Sequence, residues 1–429
     1  MKRIITTIVF ISTLSYFSMA QFIITGDIRP RAELRHGYKI PATDTSVSAF
    51  FISQRTRLSA KYSQNDFIFK FGIQDIRVWG EDDIYTSSGT FGDTESLQTS
   101  EAWVKYKMLP NLSATIGRQP LHYDSQRILS TRNWNQHGLF YDALVFTYHV
   151  DSTRFDAGVS FNNTEERVFG RDYFSNTNKF QALHYLYAKH MFSRAFALST
   201  IFITTGYTKP HENNSLHYMF TNGLVANYSC CNSLSIDGEG YYQYGHNNTG
   251  TRVRAYFITG NIAYTHNKRL RAHVGIDYMS GHDDSHTNEE YRGTDHSFDL
   301  LYGARYKYFG NMNQFMFVGK PYERAGMRDV YASATWSPVP KHSTQVAVHK
   351  FAFSQDYPTS EHNRHVAYEI DVMYNYKISD IAQFKVGGGY LLPGNTLLEV
   401  KNINAADEGT SLFAWISCSL KPTIHLDSK

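Results

Sequence analysis

The chain has 429 residues, with 42 Lys+Arg against 39 Asp+Glu, and a formal charge of +3 is too small to mark it as a binder of nucleic acid. Aromatic residues make up 15 %, including 31 Tyr and 29 Phe, yet the mean hydropathy of −0.41 is that of a water-soluble chain. Its three cysteines, Cys230, Cys231 and Cys418, form no disulfide framework and lack the spacing of a zinc site.

Taken in chain order, the first element is a leader: Lys2 and Arg3, an apolar stretch from Ile4 to Leu14, and a Ser18-Met19-Ala20 cleavage pattern. We expect residues 1–20 to be a cleaved signal peptide and 21–429 to form a single domain. Beyond the leader no apolar run of about 18 residues occurs, so helical membrane spans are excluded. The chain turns instead to a period of two. In FIITGDIRPRAELR, residues 22 to 35, Ile24, Ile28 and Leu34 share one parity, and Asp27, Arg29, Arg31, Glu33 and Arg35 share the other.

The same alternation returns near 48–62, 66–79, 96–107, 112–119, 139–150, 153–162, 181–192 and 195–206. It continues near 216–230, 233–245, 251–265, 269–280, 296–308, 327–338, 343–354, 364–378, 381–391 and 411–420. The 296–308 segment is the weakest of these and reads equally as loop. Removing it leaves the even number that a bacterial single-chain barrel requires. Tight turns, as at Leu109-Pro110-Asn111, Asp151-Ser152, Phe192-Ser193-Arg194, Cys231-Asn232 and His266-Asn267-Lys268, alternate with long polar loops at 80–95, 120–138, 163–180, 281–325 and 392–410. The fold expected is an all-β, closed transmembrane antiparallel barrel of about 18 strands in an up-and-down meander. Lipid would take the oily face, a watery lumen the charged one, and closure would leave no unpaired edge. Parity sends Ile258 and Ile262 to lipid, with Thr259 and Asn261 inward.

Parity also sorts the lumen charges. The first five strands turn Arg29, Arg31, Arg35, Arg55, Arg57, Lys61, Lys70, Lys105 and Arg118 inward against Asp27, Glu33 and Glu101. Later strands reverse the balance, with Asp237, Glu239, Asp277, Glu369 and Asp371 set against Arg271 and Lys377. Opposed arcs can hold an anionic solute along the basic wall, where guanidinium forks bind carboxylates; Arg29, Arg31, Arg57 and Arg118 are the leading candidates. The alternative is a plugged barrel in which lumen charges only pair with one another.

Nine segments carry a resemblance: GDIRPR (26–31), IQDIRVWGE (73–81), GRQ (117–119), SQRILSTRNWNQ (125–136), FYDAL (140–144), DGEGYYQYG (237–245), DYMSGHDD (277–284), YKYFGNMNQF (306–315) and YEIDVMYNYKIS (368–379). In this order, and across nearly the whole mature chain, they resemble the alginate export family of outer-membrane porins. The resemblance implies an 18-stranded monomeric barrel whose arginine-lined constriction passes an acidic polysaccharide, gated by turns and loops. By matched motif it places Arg29, Arg31, Arg77, Arg118, Arg127 and Arg132 at basic pore positions and Glu239, Glu369 and Asp371 at acidic ones. Arg77 shares the parity of Phe67, Phe69 and Phe71, so its pore position requires a bulge that reverses the strand's phase. Asn311-Met312-Asn313 departs from the family's Asp-bearing loop end, and nine residues come after the last strand.

The partners expected are outer-membrane lipid and an anionic poly- or oligosaccharide, with a periplasmic export or gating protein as a further candidate. Neither nucleic acid nor a cofactor is called for, and the barrel is expected to be a monomer in the outer membrane of a Gram-negative cell. The competing readings are a general porin for small anions, a structural or adhesive barrel, and a rim enzyme such as a lipase, for which no G-x-S-x-G elbow is present. His282-Asp283-Asp284-x-His286 could ligate a cation but reads more simply as a solvated loop tip. Trp134 could stack on a sugar or anchor the membrane interface.

Overall fold

Period-two strands dominate the computed structural model, which describes residues 21–81, 97–163, 166, 168–169, 180–209, 212–231, 233–315, 323–356 and 364–427. Eighteen antiparallel strands close into one barrel. They are β1 (Gln21–His36), β2 (Ala49–Gln64), β3 (Phe67–Val78), β4 (Gln98–Leu109), β5 (Leu112–Gln119), β6 (Tyr141–Val150), β7 (Thr153–Phe161), β8 (Ala182–Met191) and β9 (Phe196–Lys209). The second half comprises β10 (Glu212–Cys230), β11 (Leu234–His246), β12 (Arg252–His266), β13 (Leu270–Met279), β14 (Met327–Trp336), β15 (His342–Phe353), β16 (His365–Lys377), β17 (Ala382–Pro393) and β18 (Ser411–Leu420). Each strand pairs with its sequence neighbour, and β18 returns to β1. The leader, the 80–95 loop beyond Glu81 and most of the 163–180 loop lie outside the described residues.

The 296–308 segment is not a barrel strand. β13 pairs directly with β14, and the intervening chain forms a short helix at Glu289–Arg292, a two-residue strand at Thr294–Asp295 and a 3-10 turn at Arg305–Lys307. Its apolar residues Phe298 and Leu300 alternate because they pack inside the barrel, not because they face lipid, and both are buried. A short segment after β18 extends the closing seam. Thr423–Asp427 pairs with Gln21–Thr25 of β1, continuing the closing ladder past Lys421-Pro422, where Gly26 N–H donates to the Pro422 carbonyl at 2.9 Å.

Turns at one end are tight and force left-handed residues such as Asp151, Cys231 and the consecutive Asn267 and Lys268. The other end carries the long loops and therefore faces outward. Two of these loops, 120–140 and 280–315, fold back into the lumen. Their apolar residues Leu121, Ile128, Leu129, Phe298, Leu300 and Met312 form a core with the inward rings Tyr141, Tyr185, Phe257 and Phe351. The barrel thus has a packed outer half. A polar space lies below it.

The oily face is the outer one throughout. Ile258 and Ile262 are 56 % and 47 % exposed, whereas Thr259 between them is 2 % exposed. Two outcomes are expected of the purified protein. It should migrate anomalously on a gel until boiled, the mark of a closed barrel. Ile258→Arg or Ile262→Arg should lower folding stability in vesicles by about 2 to 4 kcal/mol if the position is near the midplane. Ser333→Arg, on the lumen side of β14, should cost far less, and equal losses in a urea titration would reject the register.

Candidate functional site: a lumen bridged by two loops

On the basic wall, the β1–β2 register sets Arg29 opposite Arg55 and Asp27 opposite Arg57, all facing inward. Like charges opposite one another repel, so counter-dipoles must be supplied. The 120–140 loop supplies them as backbone carbonyls. Arg29 donates from Nη1 to Asn133 O at 2.7 Å and from Nη2 to Trp134 O at 3.3 Å and Asn135 O at 3.1 Å; it also reaches Gln136 Oε1 at 2.9 and 3.0 Å. Arg31 donates to Trp134 O at 2.8 Å and to Glu33 at 2.7 Å, with its guanidinium 4.2 Å from the Trp134 ring centre. Arg55 is held by Asp27 at 2.5 Å and by Asn133 Oδ1 at 2.9 Å. Arg57 lies lower, donating to Gln74 at 2.6 Å, and below it Lys61 opposes Lys70, which bonds Glu101 at 2.8 Å.

Along the later strands the signs invert. Asp277 of β13 stands opposite Asp329 of β14, and both are fully buried. Their counter-ions arrive from elsewhere. Arg127, carried in by the 120–140 loop, grips Asp277 through two bonds of 2.6 and 2.9 Å, approaches Glu239 at 3.8 Å and stacks 3.7 Å from the Tyr308 ring centre. His349 of β15 reaches Asp329 at 2.8 Å. Glu239 accepts from Ser125 and Tyr241 at 2.8 and 2.7 Å. Glu369 and Asp371 of β16 accept the backbone N–H groups of Met312 and Asn311, at 2.7 and 3.1 Å. Arginines therefore take loop carbonyls on one side, and carboxylates take loop N–H groups and Arg127 on the other.

The loops also bind each other. Leu129 and Tyr302 form a parallel bridge, and Arg132, itself at φ 43°, donates to Leu301 O and Gly303 O at 3.1 and 3.2 Å. Residue 303 must be glycine, because a Cβ there would lie 1.8 Å from the Arg127 carbonyl oxygen. Beneath this bridge lies a cavity of about 900 Å³. The rings of Trp134, Tyr306, Tyr308 and Trp415 line it together with charges of both signs, among them Asp124, Asp237, Arg271 and Lys385. Trp134 stacks on Tyr306 at 5.9 Å and meets the edge of Trp415 at 4.9 Å, which puts it in the lumen and not at the membrane interface.

Two of the arginines assigned from the sequence face the other way. The β2–β3 ladder is unbroken from Ser53↔Val78 to Gln64↔Phe67, and its partner register places Arg77 on the face of Phe67, Phe69 and Phe71, where it pairs with Asp75 at 2.7 Å. The irregularity lies on the other edge of β3, against β4. Arg118 shares the outward parity of Ile116 and pairs with the outward Asp142 at 2.8 Å; Gln119 is the inward residue. The remaining cations of that set do face inward. Asp329 and His349 are absent from the set read from the sequence, although the alternation of β14 and β15 marks both as inward. His282 is buried against Tyr291 and His296, and burial lowers the pKa of both imidazoles, which keeps them neutral at pH 7. Among the described residues no group of three donors could hold a metal.

No curated protein matches the sequence. Among solved structures the barrel is similar to Pseudomonas aeruginosa OpdK with vanillate (10 % identity, 94 % of this chain and 99 % of that one, TM-score 0.61). It is equally similar to P. aeruginosa OccK9 (OpdG), at 11 % identity, and to Acinetobacter baumannii OccAB4, at 10 %, each covering 94 % of this chain and 98 % of the other with a TM-score of 0.61. At these identities the likeness is one of fold. The family model described as alginate export matches residues 21–409, nearly the whole of the barrel. An 18-stranded barrel, a lumen bridged by loops and that match together make this chain a member of the alginate export family, a channel of the Gram-negative outer membrane.

Proposed function

We propose that the channel passes an anionic solute and that an acidic oligo- or polysaccharide is the class that fits, entering a mature barrel that acts as a monomer after removal of residues 1–20. The observation that carries this reading is the cavity in which Trp134, Tyr306, Tyr308 and Trp415 stand among charged side chains. Aromatic faces suit sugar rings, and cations suit their carboxylates. Arg57, Lys61 and Lys70 extend the basic wall toward the periplasmic end, below the residues that hold the loop. Arg29 and Arg31 keep their place at the constriction in this scheme, as the posts of a latch. Arg127, Arg132, Glu239, Glu369 and Asp371 fix the loops around the path. Arg77 and Arg118 take no part.

A second reading, a porin for small organic anions, is favoured by the two loops that fold into the lumen and fill part of its cross-section. The OpdK structure carries vanillate, a small carboxylate. Uronate oligomers of increasing length separate the two readings. If block of the single-channel current strengthens with length, the saccharide reading stands; if only monomeric carboxylates bind, the small-anion porin replaces it.

Arg57→Glu combined with Lys61→Glu reverses two lumen charges. At about 1 kcal/mol per charge contact even in bulk water, the anion-to-cation permeability ratio should fall by about ten-fold or more. The outward Arg118→Glu should leave it unchanged. Reversal potentials across a planar bilayer in a KCl gradient measure both, and an unaltered ratio in the double variant would show the basic wall to be filler. Arg29→Ala removes donors from three loop carbonyls, each charged bond worth about 1.5 to 3 kcal/mol. Its channels should be larger and noisier than wild type while the barrel still folds, and an unchanged conductance would rule out the latch.

A further inference from the structure

On the lipid side, one hydrogen-bonded row crosses six strands: Gly238, Gly260, Ile276, Val330, Lys350 and Tyr368, each opposite the next. A Cβ built on Gly238, Gly240 or Gly260 meets nothing within 4 Å. The missing side chains leave a trough of about 910 Å³ on the outer wall, with apolar walls from Tyr228, Ile236, Ile262, Val274, Ala332 and Val348. At about 4.8 Å per strand the row runs on the order of 24 Å. Strands tilted by about 45° incline it so that it climbs roughly 17 Å, the depth of one leaflet.

The upper end of this trough is cationic. Lys350 lies three residues below the outer end of β15, on the lipid face, and among the described residues no carboxylate lies within ion-pair distance of it. Its ammonium instead sits 5.8 Å from the Tyr368 ring centre. Arg328, its diagonal neighbour on β14, also faces outward and donates to the Phe353 carbonyl at 2.9 and 3.1 Å. The stacked rings of Tyr256 and Tyr278, 5.8 Å apart, mark the interface level beside them. A lysine on a lipid-facing wall is costly unless it reaches water or an anion.

We propose that this face binds one phosphorylated acyl lipid of the outer leaflet, with a chain along the Gly238–Gly260 trough and a phosphate on Lys350 and Arg328. The trough supplies shape and the cations supply charge complementarity, so neither a neutral lipid nor free phosphate satisfies both. The proposal is independent of which solute the lumen carries.

The test uses the full barrel in a neutral detergent, titrated with diphosphorylated lipid A or with the same lipid stripped of phosphate, and bound lipid is counted by native mass spectrometry. Wild type should retain one lipid A and about ten-fold less of the stripped lipid, the equivalent of one charge-assisted contact. Lys350→Gln with Arg328→Gln should bring lipid A down to the stripped level. Gly260→Leu, or Ala332→Leu as a second way to fill the trough, should reduce retention of both lipids while the heat-dependent gel shift persists. Millimolar inorganic phosphate should not compete. Equal retention of the two lipids by wild type, wild-type retention by the trough variants, or displacement by phosphate alone would overturn the proposal.

Discussion

The bidentate pair between Arg127 and Asp277 is the contact on which the lumen depends. Closing the meander forces Asp277 against Asp329 with both side chains fully buried, and strand register alone offers no counter-ion for Asp277. A buried carboxylate left unpaired is destabilising by several kcal/mol, while an unpaired buried arginine is equally costly, so loop and wall each require the other. Good geometry makes the pair favourable: two short bonds, a third from Thr259, and the Tyr308 ring covering the guanidinium. The inward position of the 120–140 loop is therefore set by charge as well as by its apolar core.

The opposite wall obeys the same logic with the signs exchanged. Carbonyl oxygens at the Asn133–Asn135 bend point at Arg29 and Arg31, and the Asn311–Met312 N–H groups point at Asp371 and Glu369. A loop backbone has both kinds of dipole and can serve either wall according to its orientation. Gly310 illustrates the tolerance required: at φ 75° it brings the chain so near Glu369 that an added Cβ would fall 2.4 Å from the carboxylate.

The barrel is largely legible in the sequence because membrane strands obey one simple rule, oily out and polar in, repeated at every element. Segment 296–308 breaks that rule for a physical reason. Phe298 and Leu300 alternate toward an internal core, and alternation cannot distinguish a lipid environment from a protein one. The site is less legible. Arg118 sits at a strand end where outward Ile116 and inward Gln119 both fix its parity as outward, and only its charge suggests a place in the lumen. Likeness of motif draws Arg77 inward against the evidence of three phenylalanines. Nothing local to Arg127 or Ser125 indicates that each meets a partner more than a hundred residues away. Such pairings belong to topology, and only the closed fold displays them.

The seam between the first and last strands carries a consequence in time. Ser417 bonds the carbonyl of Pro30 across 387 residues, and Thr423–Asp427 continues the same ladder to the start of β1. Until that pairing forms, β1 and β18 are two open edges, each able to recruit a strand from another molecule. Contacts so distant in sequence are slow to find. The polypeptide must therefore be almost entirely synthesised and threaded before it can become a single molecule without edges, and any factor that shields those edges in the interval decides between a barrel and an aggregate.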